Sequence, residues 1–368
     1  MTILREVVGV AARDFAHWRI CVIVHRTGLL NVPGIEEIVY PQAKRSWLRR
    51  MWCEWVELGQ ISRRLQPDVW LSLHDMTPRV RARRRYVYCH NPAPFSSLPL
   101  RRRLLDRSFF LFSLFYGGLY RLNIHANSGV IVQQQWLREE FVRRYGVKRV
   151  IVAHPTVSVS PEASAVAPAR RVPPQRFVFP CFPRIFKNIE LLGQCAAILD
   201  REPRWTGRII VTIDGSESSY ARSLVDTYGG SHSIEFVGLQ APSAMVDLYA
   251  RSDALLFPSL LETWGLPLTE AKQRGLPIVA ADLPYARESI GNSDAVAFFD
   301  PHDATALAEL LLGLSEGRIT FGTARHADPD QPFARGWTEL LNILLVDDEA
   351  LGNDARATLP TATKLARR

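Results

Sequence analysis

The chain repeats one rhythm twice. Short apolar runs alternate with longer segments of helical period over residues 20–153, and again over residues 177–314. Parallel strands cannot be joined by tight hairpins, so this rhythm calls for crossover helices that cover both faces of a sheet. In the first half, Ile20–Val24, Val69–Ser72, Tyr86–Cys89, Ile124–Asn127 and Val150–Ala153 read as strands. Helices are expected near Trp47–Leu65, Leu104–Leu122 and Gln133–Tyr145. In the second half, Phe177–Cys181, Ile209–Ile213, Ile234–Val237, Ala254–Phe257, Ile278–Ala280 and Ala295–Phe299 read as strands. Helical patterns near Ile189–Leu199, Ala241–Ala250, Leu266–Arg274 and Ala304–Leu314 accompany them.

Between the halves, residues 156–175 carry Pro161, Pro168, Pro173 and Pro174, which continue neither a helix nor a central strand. The fold class is therefore α/β, with one Rossmann-like domain over 1–155, a linker over 156–175 and a second domain over 176–330. A helix over 331–346, able to pack back on the first domain, and a disordered tail over 347–368 complete the expectation. Two such domains facing each other leave a cleft, and ligands of open α/β sheets sit beyond the carboxyl ends of the strands.

The net charge of +8 is unevenly spread: residues 1–150 hold 25 Lys+Arg against 11 Asp+Glu, and residues 151–368 hold 20 against 26. The basic half lacks any nucleic-acid motif, which argues against nucleic acid and leaves Arg79, Arg81, Arg83, Arg84, Arg85 and Arg101–Arg103 as a surface for an anionic membrane or as a plain solvated face. Five cysteines without a C-x-x-C pair indicate neither a disulfide framework nor a zinc site. The N-terminus lacks the order of a signal peptide, and no apolar run reaches the ~18–20 residues that span a bilayer. Phe109–Tyr120 is the nearest candidate and reads as a buried helix, with a segment at the membrane interface as the alternative. A cytoplasmic location follows, with room for peripheral attachment at the inner face of a membrane.

Ala254–Gly275 carries the chemistry. A strand runs into Glu262, Gly265, Leu266, Pro267 and Leu268, and a new helix bears Glu270. Pro267 suits a first helical turn, Gly265 allows close backbone approach, and the first-turn amides favour anionic oxygens. Glu262 and Glu270 can thus reach one ligand from different sides and accept hydrogen bonds from sugar hydroxyls. Glu262 also fits a plain helix cap, and Glu270 an exposed helix carboxylate. Asp214 and Gly215 follow a strand and either line the cleft or make a plain turn. The metal-like Asp328-Pro329-Asp330 reads as a solvated loop, so no metal site is expected.

Glu262-x7-Glu270, within FPSLLETWGLPLTEA, resembles the E-x7-E signature of the retaining glycosyltransferases of family 4 (group 1), which have the GT-B architecture of two facing Rossmann-like domains. Further segments resemble that family in its order: YCHNPAPF (Tyr88–Phe95), NSGVIVQQQWLREEFVRRYG (Asn127–Gly146), FPRIFKNIELL (Phe182–Leu192), AADLPYARESIG (Ala280–Gly291) and FFDPHD (Phe298–Asp303). The resemblance implies that Glu270 holds the ribose, Glu262 the transferred sugar, and Arg184 with Lys187 the diphosphate. It places His90 by the sugar, with His74 as a rival. It implies no cofactor, a nucleotide-diphospho-sugar donor, and a glycan or lipid-linked acceptor in cell-surface polysaccharide assembly such as O-antigen. The YCH-x-P segment leans toward GDP-sugars and a mannose-like hexose.

Family members begin with a strand and a Gly-rich loop, whereas Met1 here leads into the pattern of the helix that follows that loop. Thr263-Trp264 stands where Gly-Phe is commoner, and Cys-Phe-Pro precedes Arg184 where relatives place Gly. The alternatives are another GT-B enzyme, such as a sugar-nucleotide epimerase or phosphorylase, and a catalytically inactive protein with a basic binding surface.

Overall fold

A computed structural model describes residues 2–30, 32–40, 47–156 and 172–345. Most of the expected linker and the whole expected tail lie outside the described residues. The first half runs α1 (Thr2–Asp14), β1 (Ile20–Val24), β2 (Ile35–Val39), α2 (Trp47–Trp52), α3 (Leu58–Leu65), β3 (Val69–Ser72), β4 (Arg84–Cys89), α4 (Leu100–Arg103), α5 (Arg107–Arg121), β5 (Gly129–Val132), α6 (Gln135–Tyr145) and β6 (Val150–His154). The second runs β7 (Arg176–Phe179), α7 (Ile189–Leu199), β8 (Arg208–Val211), α8 (Ser219–Tyr228), β9 (Ile234–Phe236), α9 (Pro242–Ala250), β10 (Ala254–Phe257) and α10 (Leu266–Gln273). It continues with β11 (Ile278–Ala281), α11 (Pro284–Ile290), β12 (Ser293–Phe299), α12 (Ala304–Ser315), β13 (Gly322–Ala324), β14 (Phe333–Arg335) and α13 (Gly336–Leu345).

The second half builds a seven-stranded sheet in the order β13-β12-β11-β10-β7-β8-β9. Its strands are parallel except for the edge strand β13. From β7 the chain moves outward to β8 and β9, then returns to lay β10 on the other side of β7. The strand order therefore reverses between β7 and β10, and a crevice opens there beyond their carboxyl ends. The central strands are buried on both faces, which explains why Phe177, Val178, Phe179 and Ala254–Phe257 read as unbroken apolar runs.

The first half builds a parallel sheet in the order β14-β6-β5-β4-β3, with β1 and β2 forming a separate parallel pair. Its edge strand β14 comes from the far end of the chain, pairing Phe333 with Val152 and Arg335 with His154. Helix α13 follows it, burying Trp337, Leu340, Leu341 and Leu344 with Val7, Val8 and Phe15 of the first half and its neighbouring loop.

Two expectations fail here. Ile124–Asn127 contains a 3-10 turn over Ile124–Ala126, and the strand begins at Gly129. Asn123 adopts φ 61° and turns the chain, so the buried Ile124 fills the core from a turn instead of a sheet. Helix α5 is also not a buried helix. Phe109 and Tyr120 are buried, while Leu111, Phe112, Leu114 and Phe115 are 48–64% exposed. It starts only at Arg107 because Asp106 caps it, its carboxylate accepting the Phe109 amide. The elements β2, α4, α8, α11 and β13 have no counterpart in the expected pattern, and β14 takes the start of the expected helix over 331–346, which begins only at Gly336 because Phe333–Arg335 first pairs with β6. Two of these, β13 and β14, are three residues long, too short for a period to register.

Candidate active site

The crevice between β7 and β10 is built from the two loops that follow those strands. After β7, Arg184 is extended and leads into a 3-10 turn over Ile185–Lys187. After β10, the loop passes through Glu262 to Gly265, whose φ of +78° opens α10. A Cβ on Gly265 would stand 3.1 Å from Leu268 Cδ1 and 3.2 Å from Phe257 Cε1, so strand and helix meet this closely only around a glycine. Pro267 lies in the first helical turn, and no side chain caps that end.

Three ion and hydrogen-bond pairs organise the crevice. Lys187 Nζ donates to Glu262 Oε1 at 2.5 Å, with both side chains largely buried. The ammonium lies 5.8 Å from the Phe257 ring. Arg184 Nη1 lies 3.3 Å from both carboxylate oxygens of Asp106, the capping residue of α5. Glu270 Oε2 accepts the Tyr249 hydroxyl at 2.7 Å. Burial and the Glu270 charge push the Tyr249 phenol well up, so it stays protonated and donates. Both basic groups thus already have acidic partners, and a stronger anion would have to compete for them.

His90 closes β4 on the facing sheet. Its amide donates to Asp75 Oδ1 at 2.6 Å, and its Nδ1 lies 3.5 Å from the same oxygen. Asp75 also accepts the hydroxyls of Tyr116 and Tyr120 from α5, so the loop that carries His90 is anchored to that helix. No hydrogen bond or ion pair among the described residues joins His90 to Lys187, Glu262 or Glu270. The rival His74 is held by the buried Glu54 at 2.6 Å. Asp214 accepts the Ser216 amide, and the Ser216 hydroxyl and amide hold its carboxyl below the usual range, while Gly215 has φ +91°. Those features make a local turn. Asp328 pairs with Arg335, and the Asp330 carbonyl accepts from Arg138. No cluster of three or more His, Cys, Asp or Glu that could hold a metal occurs among the described residues.

Asp106, Tyr249 and Asp75 were not singled out in the sequence. Asp106 and Tyr249 act on partners 78 and 21 residues away, a relation that local spacing does not carry. The Ser/Asp-type signal of a helix start was available at Asp106, three residues ahead of the apolar run. The two halves also meet behind the crevice. Glu288 of α11 accepts the Gln135 amide at the start of α6 and His154 Nε2 at 2.8 Å, and the His154 ring lies 4.6 Å from that of Trp264.

Residues 170–326 match the family model of the glycosyl transferases group 1. This segment belongs to the group 1 glycosyltransferases. It holds both loops of the crevice together with Arg184, Lys187, Glu262 and Glu270. The chain is 32% identical over 150 residues to a D-inositol 3-phosphate glycosyltransferase of Rhodococcus jostii, covering 38% of this chain and 33% of that protein. An O-antigen chain mannosyltransferase B of Escherichia coli is 30% identical over 127 residues, covering 34% of this chain and 33% of that protein. The chain spans about a third to a half of the length of the curated relatives it matches. In structure, the lipopolysaccharide outer core galactosyltransferase WaaB superposes with a TM-score of 0.59 at 15% identity, covering 87% of both chains. The architecture is GT-B.

Proposed function

We propose that this protein is a retaining, metal-independent glycosyltransferase. It transfers a hexose, mannose-like by preference, from a nucleotide-diphospho-sugar to a glycan or lipid-linked saccharide acceptor in cell-surface polysaccharide assembly. One observation carries the proposal: Lys187 on the loop after β7 holds Glu262 on the loop after β10, across the point where the strand order reverses. The group 1 match over this segment and the mannosyltransferase among the relatives support it. The YCH-x-P resemblance favours a GDP-sugar.

On this reading the diphosphate displaces Asp106 from Arg184 and draws on Lys187. The bond between the anomeric carbon and the phosphate oxygen breaks, and the electron pair leaves with the nucleoside diphosphate. Fixed cations and the amides at Gly265–Leu268 stabilise that growing charge without reorganising. The acceptor oxygen attacks from the same face, and its proton passes to the departing phosphate oxygen. Glu262, steered by Lys187, contacts the sugar; Glu270, oriented by Tyr249, holds the ribose. His90 meets the sugar from the facing sheet. The exposed apolar face of α5 supports work at a membrane surface.

Turnover of a nucleotide-sugar panel tests this. Lys187→Ala should lower kcat about 10²–10³-fold, as loss of one charge-stabilising donor does. Glu270→Ala should raise the donor KM. Unchanged turnover in both variants overturns the site.

A further inference from the structure

Two histidines stand beyond the carboxyl ends of the paired strands β3 and β4, and they are held in opposite ways. His74, after β3, turns Nε2 onto the buried Glu54 at 2.6 Å, so that nitrogen is occupied. His90, after β4, turns its other ring nitrogen inward. Its Nδ1 is buried, has no hydrogen-bond partner and lies 3.5 Å from Asp75 Oδ1. Nε2 of His90 is neither buried nor bonded among the described residues, and 37% of the side chain is exposed. The free edge of the ring is therefore the one that carries Nε2.

Asp75 is fixed where it faces that ring. It has φ +69°, a conformation that is costly for a residue with a Cβ and persists only where the neighbours over-determine it. Its side chain is 5% exposed. Oδ1 accepts the amides of His90 and Asn91 and the Tyr120 hydroxyl, and Oδ2 accepts the Tyr116 hydroxyl at 3.0 Å. Burial first, and the Asp75 charge second, push both phenols up, so they keep their protons. The carboxylate is thus pinned from both sides and cannot turn away from the imidazole. A lone pair on Nδ1 would face a carboxylate oxygen in a buried setting, where like partial charges repel more strongly than in water. A proton on Nδ1 turns that repulsion into attraction and leaves the lone pair on Nε2. We propose that Asp75 is a positioning residue that holds His90 in its Nδ1–H tautomer, so that Nε2 accepts a hydrogen bond from a hydroxyl of the transferred sugar. In this neutral form His90 offers nothing to a phosphate oxygen, itself an acceptor, and selects a hydroxyl instead.

The sugar in this proposal rests on the transferase reading above, whereas the tautomer rests on the geometry alone. Long-range proton–nitrogen correlation spectra of protein carrying nitrogen-15 histidine report the tautomer. They are read at about pH 8.5, above the ordinary imidazole value of ~6.5. The signals missing from His90→Gln identify His90. In the wild type Nδ1 should carry the proton, and a proton on Nε2 overturns the proposal without any need of a variant at Asp75. Asp75→Asn keeps an oxygen for the two amides but removes the charge. The ratio of Nε2–H to Nδ1–H should then rise at least fivefold, and an unmoved ratio overturns the role of Asp75. In donor turnover, Asp75→Asn should lower kcat about five- to tenfold, the loss of one hydrogen bond made to the reacting sugar, with the donor KM within about twofold. Added to His90→Gln it should cost nothing more, because it acts through that ring. A further loss there assigns Asp75 to loop packing and overturns the positioning role. An Nδ1–H wild type that transfers no sugar from any donor upholds the Asp75–His90 pair and overturns the transferase reading. An active wild type with Nε2–H does the reverse.

Discussion

At the scale of single residues, the crevice is organised by pairs whose members differ in visibility. Glu262 and Glu270 stand out in the sequence because spacing and flanking Gly and Pro mark a loop running into a helix, whereas Lys187 stands out only through the family resemblance of its segment. Their partners do not stand out, because Tyr249 reaches Glu270 from the preceding helix and resembles any buried aromatic. The phenol fixes one Glu270 oxygen and keeps its proton, so the carboxylate is presented in a single orientation. Tyr249→Phe removes a hydrogen bond to a charged group, worth about 1.5–3 kcal/mol. Nucleoside diphosphate binding should weaken at least tenfold by isothermal titration calorimetry, while far-UV circular dichroism stays unchanged. An unaltered affinity would show that Glu270 needs no such support.

Among the elements, α5 departs furthest from its sequence pattern. Its composition is apolar throughout Phe109–Tyr120, which suggests burial, yet its inward face is narrow: Tyr116 and Tyr120 turn toward the first sheet's core, while Phe109 packs on Phe186 of the second half. Residues between them face away, and a linear reading of apolar content cannot distinguish the two faces. The strand after it was misassigned for a related reason, since Ile124 is buried from a turn as thoroughly as from a strand. Asp106 joins this helix to the crevice by capping α5 and holding Arg184. Asp106→Asn keeps an effective cap but removes the charge that competes for Arg184. Nucleoside diphosphate affinity should therefore rise about fivefold, the worth of a half-exposed ion pair of about 1 kcal/mol. Weaker binding would mean instead that Asp106 aims Arg184 at its ligand.

Across the whole molecule, the twofold βαβ rhythm made the α/β architecture legible, because central parallel strands are buried on both faces and show as apolar runs. The side-chain pairings that join the halves were not legible. Glu288 with His154 and Gln135, and Arg102 with Glu190, are pairings across 88–153 residues that no local pattern encodes. One global property does follow from composition and burial together. Cys89, Cys181 and Cys195 are buried and have their thiols pushed up, Cys181 to about 12. Unfolding releases them to the ordinary value of 9.0. Below pH 9 both states hold the protons and the stabilising contribution is complete. As pH rises above 9 the unfolded chain loses protons first, so stability falls by up to about 1.4 kcal/mol per pH unit for each thiol. The urea midpoint of the reduced protein should drop between pH 8 and pH 10; a constant midpoint would contradict this burial.

The first sheet is completed by β14, and α13 seals its face, although both are encoded after the entire second sheet. A ribosome therefore releases the first sheet with an open edge beside Val150–His154 and keeps it waiting while about 180 further residues are made. During that interval the exposed edge of β6 is a site for mispairing with another nascent chain. Its rescue depends on the speed of translation as well as on the energetics of the finished fold.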